Sequence, residues 1–106
     1  MRAVLLVILA LPTAVPAMSP APPPPQIGLC ASCHRDDGRS GDPGMPRLAG
    51  QDETYLRVAL DAYRGGRRDH AAMRAIAGAL SDRDIAAFAA WYAGRPPAAA
   101  PAAPPP

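Results

Sequence analysis

Proline placement limits this chain most: of its 106 residues fifteen are proline, and thirteen of those lie outside residues 26–95. Proline has a fixed φ and no backbone N–H, so runs of it enter neither helix interiors nor sheets. Residues 18–25 are therefore read as a Pro-rich spacer and residues 96–106 as a Pro/Ala-rich tail, both solvated and extended. The five aromatics (Tyr55, Tyr63, Phe88, Trp91, Tyr92), all nine glycines and both cysteines fall between them. Residues 26–95 are thus the foldable domain, about 70 residues long. A unit of that size buries too little apolar surface to hold itself together easily, so a disulfide, a metal or a cofactor is expected as a staple. Large enzymes, doubly wound nucleotide-binding domains and multidomain arrangements are excluded.

Net charge is +2, from eleven arginines and nine acids with no lysine. The arginines are interleaved with Asp36, Asp37, Asp42, Asp61, Asp69, Asp82 and Asp84, which is a mixed surface and not a nucleic-acid footprint. Residues 1–17 read as a secretory signal: Arg2 supplies the positive start, residues 3–11 are an unbroken apolar run, and Val15-Pro16-Ala17 offers small residues for cleavage. Pro12 and Pro16 interrupt the segment too early for a membrane span, which needs roughly 20 apolar residues. The chain is therefore expected to be exported, cut near Ala17 and left without a membrane anchor.

Cys30-Ala31-Ser32-Cys33-His34 carries the chemistry. Two thiols three residues apart on one helical turn can each add to a vinyl group of haem, and the adjacent histidine can then ligate the iron. A disulfide between Cys30 and Cys33 would close too small a loop to stabilise much and would give His34 no task. A zinc site would need two more ligands, and only His70 remains. A thioredoxin-like site would need a strand before the motif, where this chain has prolines. One covalent haem is the expectation. For a sixth iron ligand the residues offer Met45, His70 and Met73.

Two helices are legible. In residues 52–63 the apolar positions Tyr55, Leu56, Ala59, Leu60 and Tyr63 mark one helical face, which Gly65-Gly66 ends. From Ser81 an N-cap with Asp84 at N3 precedes Ile85, Phe88, Ala89 and Tyr92, and Gly94 with Pro96 closes the segment. Period-two alternation is nowhere sustained, so no strands are expected. Residues 66–80 read as a short connecting stretch containing Met73.

These residues, taken in order, resemble a class I c-type cytochrome of the small bacterial periplasmic type, similar to one half of the dihaem cytochromes. The resemblance rests on Cys30-Ala31-Ser32-Cys33-His34, Pro46-Arg47-Leu48-Ala49-Gly50-Gln51, Tyr55-Leu56, Tyr63-Arg64-Gly65-Gly66-Arg67, Met73, the segment Leu80-Ser81-Asp82-Arg83-Asp84-Ile85, and Trp91-Tyr92-Ala93. It implies an all-α fold, three to four helices wrapped around one haem. It implies that Cys30 and Cys33 form the thioethers, that His34 is the proximal ligand and Met73 the distal one, and that the Pro46 carbonyl accepts the other ring proton of His34. Met45 would be a wall residue beside Pro46, and nothing ligating is placed at His70.

Such a protein would be a periplasmic electron carrier and not an enzyme, working between a donor and an acceptor protein as a monomer or as a subunit of a redox complex. The alternatives are a haem subunit docked to a dehydrogenase or oxidase, and a gas-binding haem sensor. Arg57, Arg64, Arg67, Arg68 and Arg74 cluster around the distal segment, either as a solvated face or to pair with haem propionates or an acidic partner. Two departures stand out. Prolines up to Pro25 cut short the helix that precedes the haem motif in the family, which leaves Ile27 and Leu29 to supply its contacts. Arg35 stands where the family commonly has glycine.

Overall fold

The structure is a computed structural model that describes residues 9–16 and 21–97. Cleavage near Ala17, most of the apolar leader and the tail from residue 98 onward fall outside the described residues. Among the described residues four helices follow one another: α1 (Gly28–His34), α2 (Glu53–Arg64), α3 (Ala71–Ala77) and α4 (Asp82–Ala93). Among the described residues there is no strand, in line with the all-α expectation, and no helix is long and apolar enough to cross a membrane.

Helix α2 starts where the sequence says it should. The Asp52 carboxylate accepts the Tyr55 N–H at 2.7 Å, and Glu53 stands in the first turn. Its apolar stripe serves two tasks: Leu56 is buried in the core and Leu60 packs against it, and both join Tyr55, Ala59 and Tyr63 in lining a cavity described below. Helix α4 has the expected capping box. The Ser81 hydroxyl accepts the Asp84 N–H at 3.1 Å and the Asp84 carboxylate accepts the Ser81 N–H at 3.0 Å. These bonds from Ser81 hold the Asp84 carboxyl below the usual carboxylate range. Ile85, Phe88, Ala89 and Tyr92 form the buried face of α4, and with Leu56, Leu80 and Cys30 they make one core. Ser81→Ala, which removes the cap acceptor, is expected to lower unfolding free energy by about 1 kcal/mol, read from the denaturant midpoint; an unmoved midpoint would show that the box adds nothing.

A chain of ions ties the end of α2 to the start of α4. Arg64 donates to Asp61 at 2.8 Å, to Asp82 at 2.6 Å and to the Leu80 carbonyl at 3.2 Å, and Arg67 donates to Asp61 at 2.6 Å. Arg64 and then Arg67 lower the pKa of the Asp61 carboxyl. What the pairing contributes is present above the ordinary carboxylate pKa and is lost as pH falls through the lowered value. Exposed pairs of this kind are worth little energy, so the network fixes alignment more than stability.

The sequence treats residues 66–80 as a connection, yet the structure has a two-turn helix, α3, inside it. Gly66 makes the turn after α2 with φ +75°, a backbone glycine reaches freely. The His70 ring then caps α3, its Nδ1 accepting the Met73 N–H at 3.3 Å. The shortened N-terminal segment also behaves unevenly. Ile27 packs against the core as expected, but Leu29 is 42% exposed and borders the cavity, so it does not share that task.

Candidate functional site

Helix α1 is little more than the motif itself, and it presents Cys30, Cys33 and His34 to a mostly apolar cavity of about 280 Å³. The two thiols differ in setting. Cys30 is buried in the core, and burial pushes its thiol up to about 11, whereas Cys33 is exposed. His34 is buried, and its Nδ1 lies 2.9 Å from the Pro46 carbonyl oxygen. A carbonyl only accepts, so Nδ1 carries the proton and donates. The tautomer is thereby fixed, with Nε2 left as the ring nitrogen that can bind a metal.

The turn after His34 is held from the far end of the chain. Arg35 has φ +67° and ψ 161°. Its carbonyl accepts the Tyr92 hydroxyl at 3.1 Å and the Gly38 N–H at 3.2 Å, and the next carbonyl, that of Asp36, accepts the Trp91 indole N–H at 2.9 Å. Gly38 has φ +68° and lies under the Tyr92 ring, where a Cβ would sit 2.7 Å from a ring carbon. Its carbonyl accepts the N–H groups of Leu48 at 2.8 Å and Ala49 at 3.1 Å, which brings the segment carrying Pro46 back over His34. Burial pushes the Tyr92 hydroxyl well above the usual tyrosine value, so it remains a proton donor.

Across the sequence, α2 and α3 supply further walls. Met73, half-buried on α3, lines the same cavity as Cys30, Cys33 and His34, and so do Met45 and His70. The His70 ring is occupied as the α3 cap, and it stands edge-on to Tyr63 with centroids 6.4 Å apart. The arginine cluster separates by partner. Arg64 and Arg67 are ion-paired with aspartates, while Arg68 lies over the Tyr63 ring at 4.9 Å and reaches the Tyr55 hydroxyl at 3.5 Å. Of the five, Arg68 alone borders the cavity, and it is joined there by Arg47.

The donor set fits a covalently held haem. It offers two thiols on one helical turn, an imidazole with its back nitrogen bonded and its front nitrogen free, thioether sulfurs, and apolar walls. It does not fit zinc: among the described residues no three His, Cys, Asp or Glu side chains gather closely enough to hold a metal ion. Sequence reading missed Trp91 and Tyr92 as braces of the turn and Arg47 as a wall residue. The Trp91-Tyr92 pair was visible, but its partners lie 55 and 57 residues away.

Comparisons with known proteins agree with this arrangement. A family model for cytochrome c matches residues 28–94. Cytochrome c-554(548) of Halomonas halodenitrificans is 44% identical over 73 residues, a stretch covering 66% of this chain and 88% of that protein. The crystal structure of reduced recombinant cytochrome c4 from Pseudomonas stutzeri superposes with a TM-score of 0.58 at 35% identity, covering 62% of this chain and 37% of that one. The structure of thiosulfate dehydrogenase from Marichromatium purpuratum gives a TM-score of 0.62 at 41% identity, covering 71% of this chain and 16% of that one. The chain thus spans most of the first relative and well under half of the two solved chains.

Proposed function

The chain belongs to the cytochrome c family, whose members carry covalent haem c and transfer electrons, and on that premise we propose that it is an exported, monohaem electron carrier with His34 and Met73 as axial ligands. In this reading residues 1–17 are a cleaved leader, residues 26–95 are the cytochrome domain, and residues 18–25 and 96–106 are spacers. Cys30 and Cys33 tether the haem through thioethers, and Pro46 orients His34. The observation that carries the proposal is the convergence of Cys30, Cys33, His34 and Met73 on one apolar cavity, with His34 Nδ1 held by Pro46 at 2.9 Å.

Haem, when bound, supplies a one-electron iron couple. The chain's own part is to tether, orient and bury it. The hydrogen bond to Pro46 raises the basicity of Nε2 and stops the ring from rotating. Met45 adjoins the proline that binds the back of the His34 ring, so its backbone belongs to the histidine side; Met73 comes from a separate helix and supports the opposite assignment. With His34 and Met73 both holding the iron, no position would be left for a substrate, which favours a carrier over an enzyme or a gas sensor. Arg47 and Arg68 bring positive charge to the cavity wall, suited to the two carboxylates of haem.

Two measurements test this. The intact mass of the exported protein should equal residues 18–106 plus one haem, and an unmodified full-length chain would refute both the export and the cofactor assignments. Met73→Ala should abolish the methionine-to-ferric-iron absorption band while Met45→Ala preserves it; the reverse result would move the ligand to Met45.

A second reading is a haem subunit within a larger redox complex, favoured by the likeness to a stretch of a thiosulfate dehydrogenase chain. A carrier elutes alone from gentle purification of the periplasmic fraction. A subunit would bring its dehydrogenase with it.

A further inference from the structure

The turn after α1 carries a strained backbone beside the functional site. Arg35 is an L-residue with φ +67° and ψ 161°, a region that is essentially reserved for glycine. It also directly follows the histidine at the centre of the site. A side-chain-bearing residue persists there only when its surroundings over-determine the backbone, and they do so here through two donors on α4. The Tyr92 hydroxyl bonds the Arg35 carbonyl at 3.1 Å and the Trp91 indole bonds the Asp36 carbonyl at 2.9 Å.

The turn held in this way has a second end. Gly38, whose N–H bonds the Arg35 carbonyl at 3.2 Å, presents its own carbonyl to the N–H groups of Leu48 and Ala49 at 2.8 and 3.1 Å. Leu48 lies two residues beyond Pro46, whose carbonyl receives the His34 ring proton. Covalent bonds and hydrogen bonds therefore close a ring: His34, the turn, Gly38, the strip from Leu48 back to Pro46, and His34 again. The position of the Pro46 carbonyl relative to the imidazole depends on the shape of the turn, and α4 sets that shape.

We propose that Trp91 and Tyr92 are positioning residues for His34, and that they act on its imidazole hydrogen bond through the Arg35–Gly38 turn without touching the ring nitrogens. This rests on the reading of His34 as the iron ligand. A firm Nδ1–H···O bond makes the imidazole a better donor and so favours ferric iron. Loosening the turn weakens that bond, and the reduction potential rises.

The test uses the holoprotein. Tyr92→Phe keeps the ring and removes only the hydroxyl. It should raise the reduction potential with the axial-ligand bands retained, and speed exchange of the Leu48 and Ala49 amide protons by up to about tenfold, the loss expected for one hydrogen bond. Trp91→Phe, which removes the indole donor, should shift both readings the same way. In an Arg35→Gly background the turn no longer needs bracing, so the potential shift caused by Tyr92→Phe should fall by about half or more, a coupling that a simple loss of packing would not produce.

If both variants lose stability yet keep the wild-type potential and the wild-type exchange at Leu48 and Ala49, the two side chains are packing residues only and the proposal is wrong. Should Tyr92→Phe fail to yield holoprotein, Trp91→Phe decides by the same two readings. A wild-type protein with no haem spectrum overturns the functional reading and this inference together. A normal wild-type spectrum with unmoved variants overturns this inference alone.

Discussion

A Cys30→Ala, Cys33→Ala double variant is expected to accumulate no covalently modified chain and to lose most of its cooperative helical structure. Helix α1 is seven residues long and its N-cap, Ile27, makes no side-chain cap bond. Helices below about 12 residues are marginal in water and depend on what they pack against. Here much of that packing surface is the wall of a cavity of about 280 Å³, bordered by Leu56, Leu60, Ile76 and Phe88 as well as by the motif. Without the tether those apolar walls face water and the small core must hold alone. Intact mass and far-UV circular dichroism on heating check this, and a helical, cooperatively melting chain without haem would refute it. The single variants should differ. Cys30 is itself part of the core, so Cys30→Ala removes packing as well as an attachment point, whereas exposed Cys33 loses attachment only.

Phe88→Ala should cost about 3–5 kcal/mol of unfolding free energy. Phe88 is 1% exposed, the largest fully buried side chain among the described residues, and it belongs to the buried face of α4, the helix that packs against α2. Small domains have about 5–15 kcal/mol in all, so the variant should be largely unfolded in mild denaturant. Val58→Ala on the outer face of α2, where the side chain is 63% exposed, is the control and should change stability by no more than about 0.5 kcal/mol. A loss below about 1 kcal/mol at Phe88 would mean that the core relaxes around the void or lies elsewhere.

What the sequence made legible follows from how local each signal is. Ser81 and Asp84 lie three residues apart and announce α4 by themselves, and the apolar spacing from Tyr55 to Tyr63 with Gly65-Gly66 after it does the same for α2. The thiols and His34 share one helical turn, so the motif could be read without the fold. Helix α3 could not be read, because seven residues give less than two periods of a helical pattern, and its cap is a histidine in place of the usual Ser, Thr, Asp or Asn. The arginine cluster was visible as a charge pattern but not as a division of labour. Arg64 finds Asp82 eighteen residues away, and Arg68 rests on the face of Tyr63; neither partner follows from spacing alone. Leu29 and Ile27 look interchangeable in the sequence, and only the roll of α1 assigns one to the core and the other to the cavity.

Helix α3 makes its main packing contacts with α2. Ala77 is its buried residue, and Ala72, Met73 and Ile76 line the cavity. What fills that cavity would therefore hold α3 down as much as α2 does, because it would cover the face that α2 leaves bare. The amide of Arg74, bonded to the His70 carbonyl at 2.9 Å, should accordingly exchange more slowly in the haem-loaded protein than in a chain that lacks the tether. A seven-residue helix and the group that its Met73 would bind thus keep each other in place.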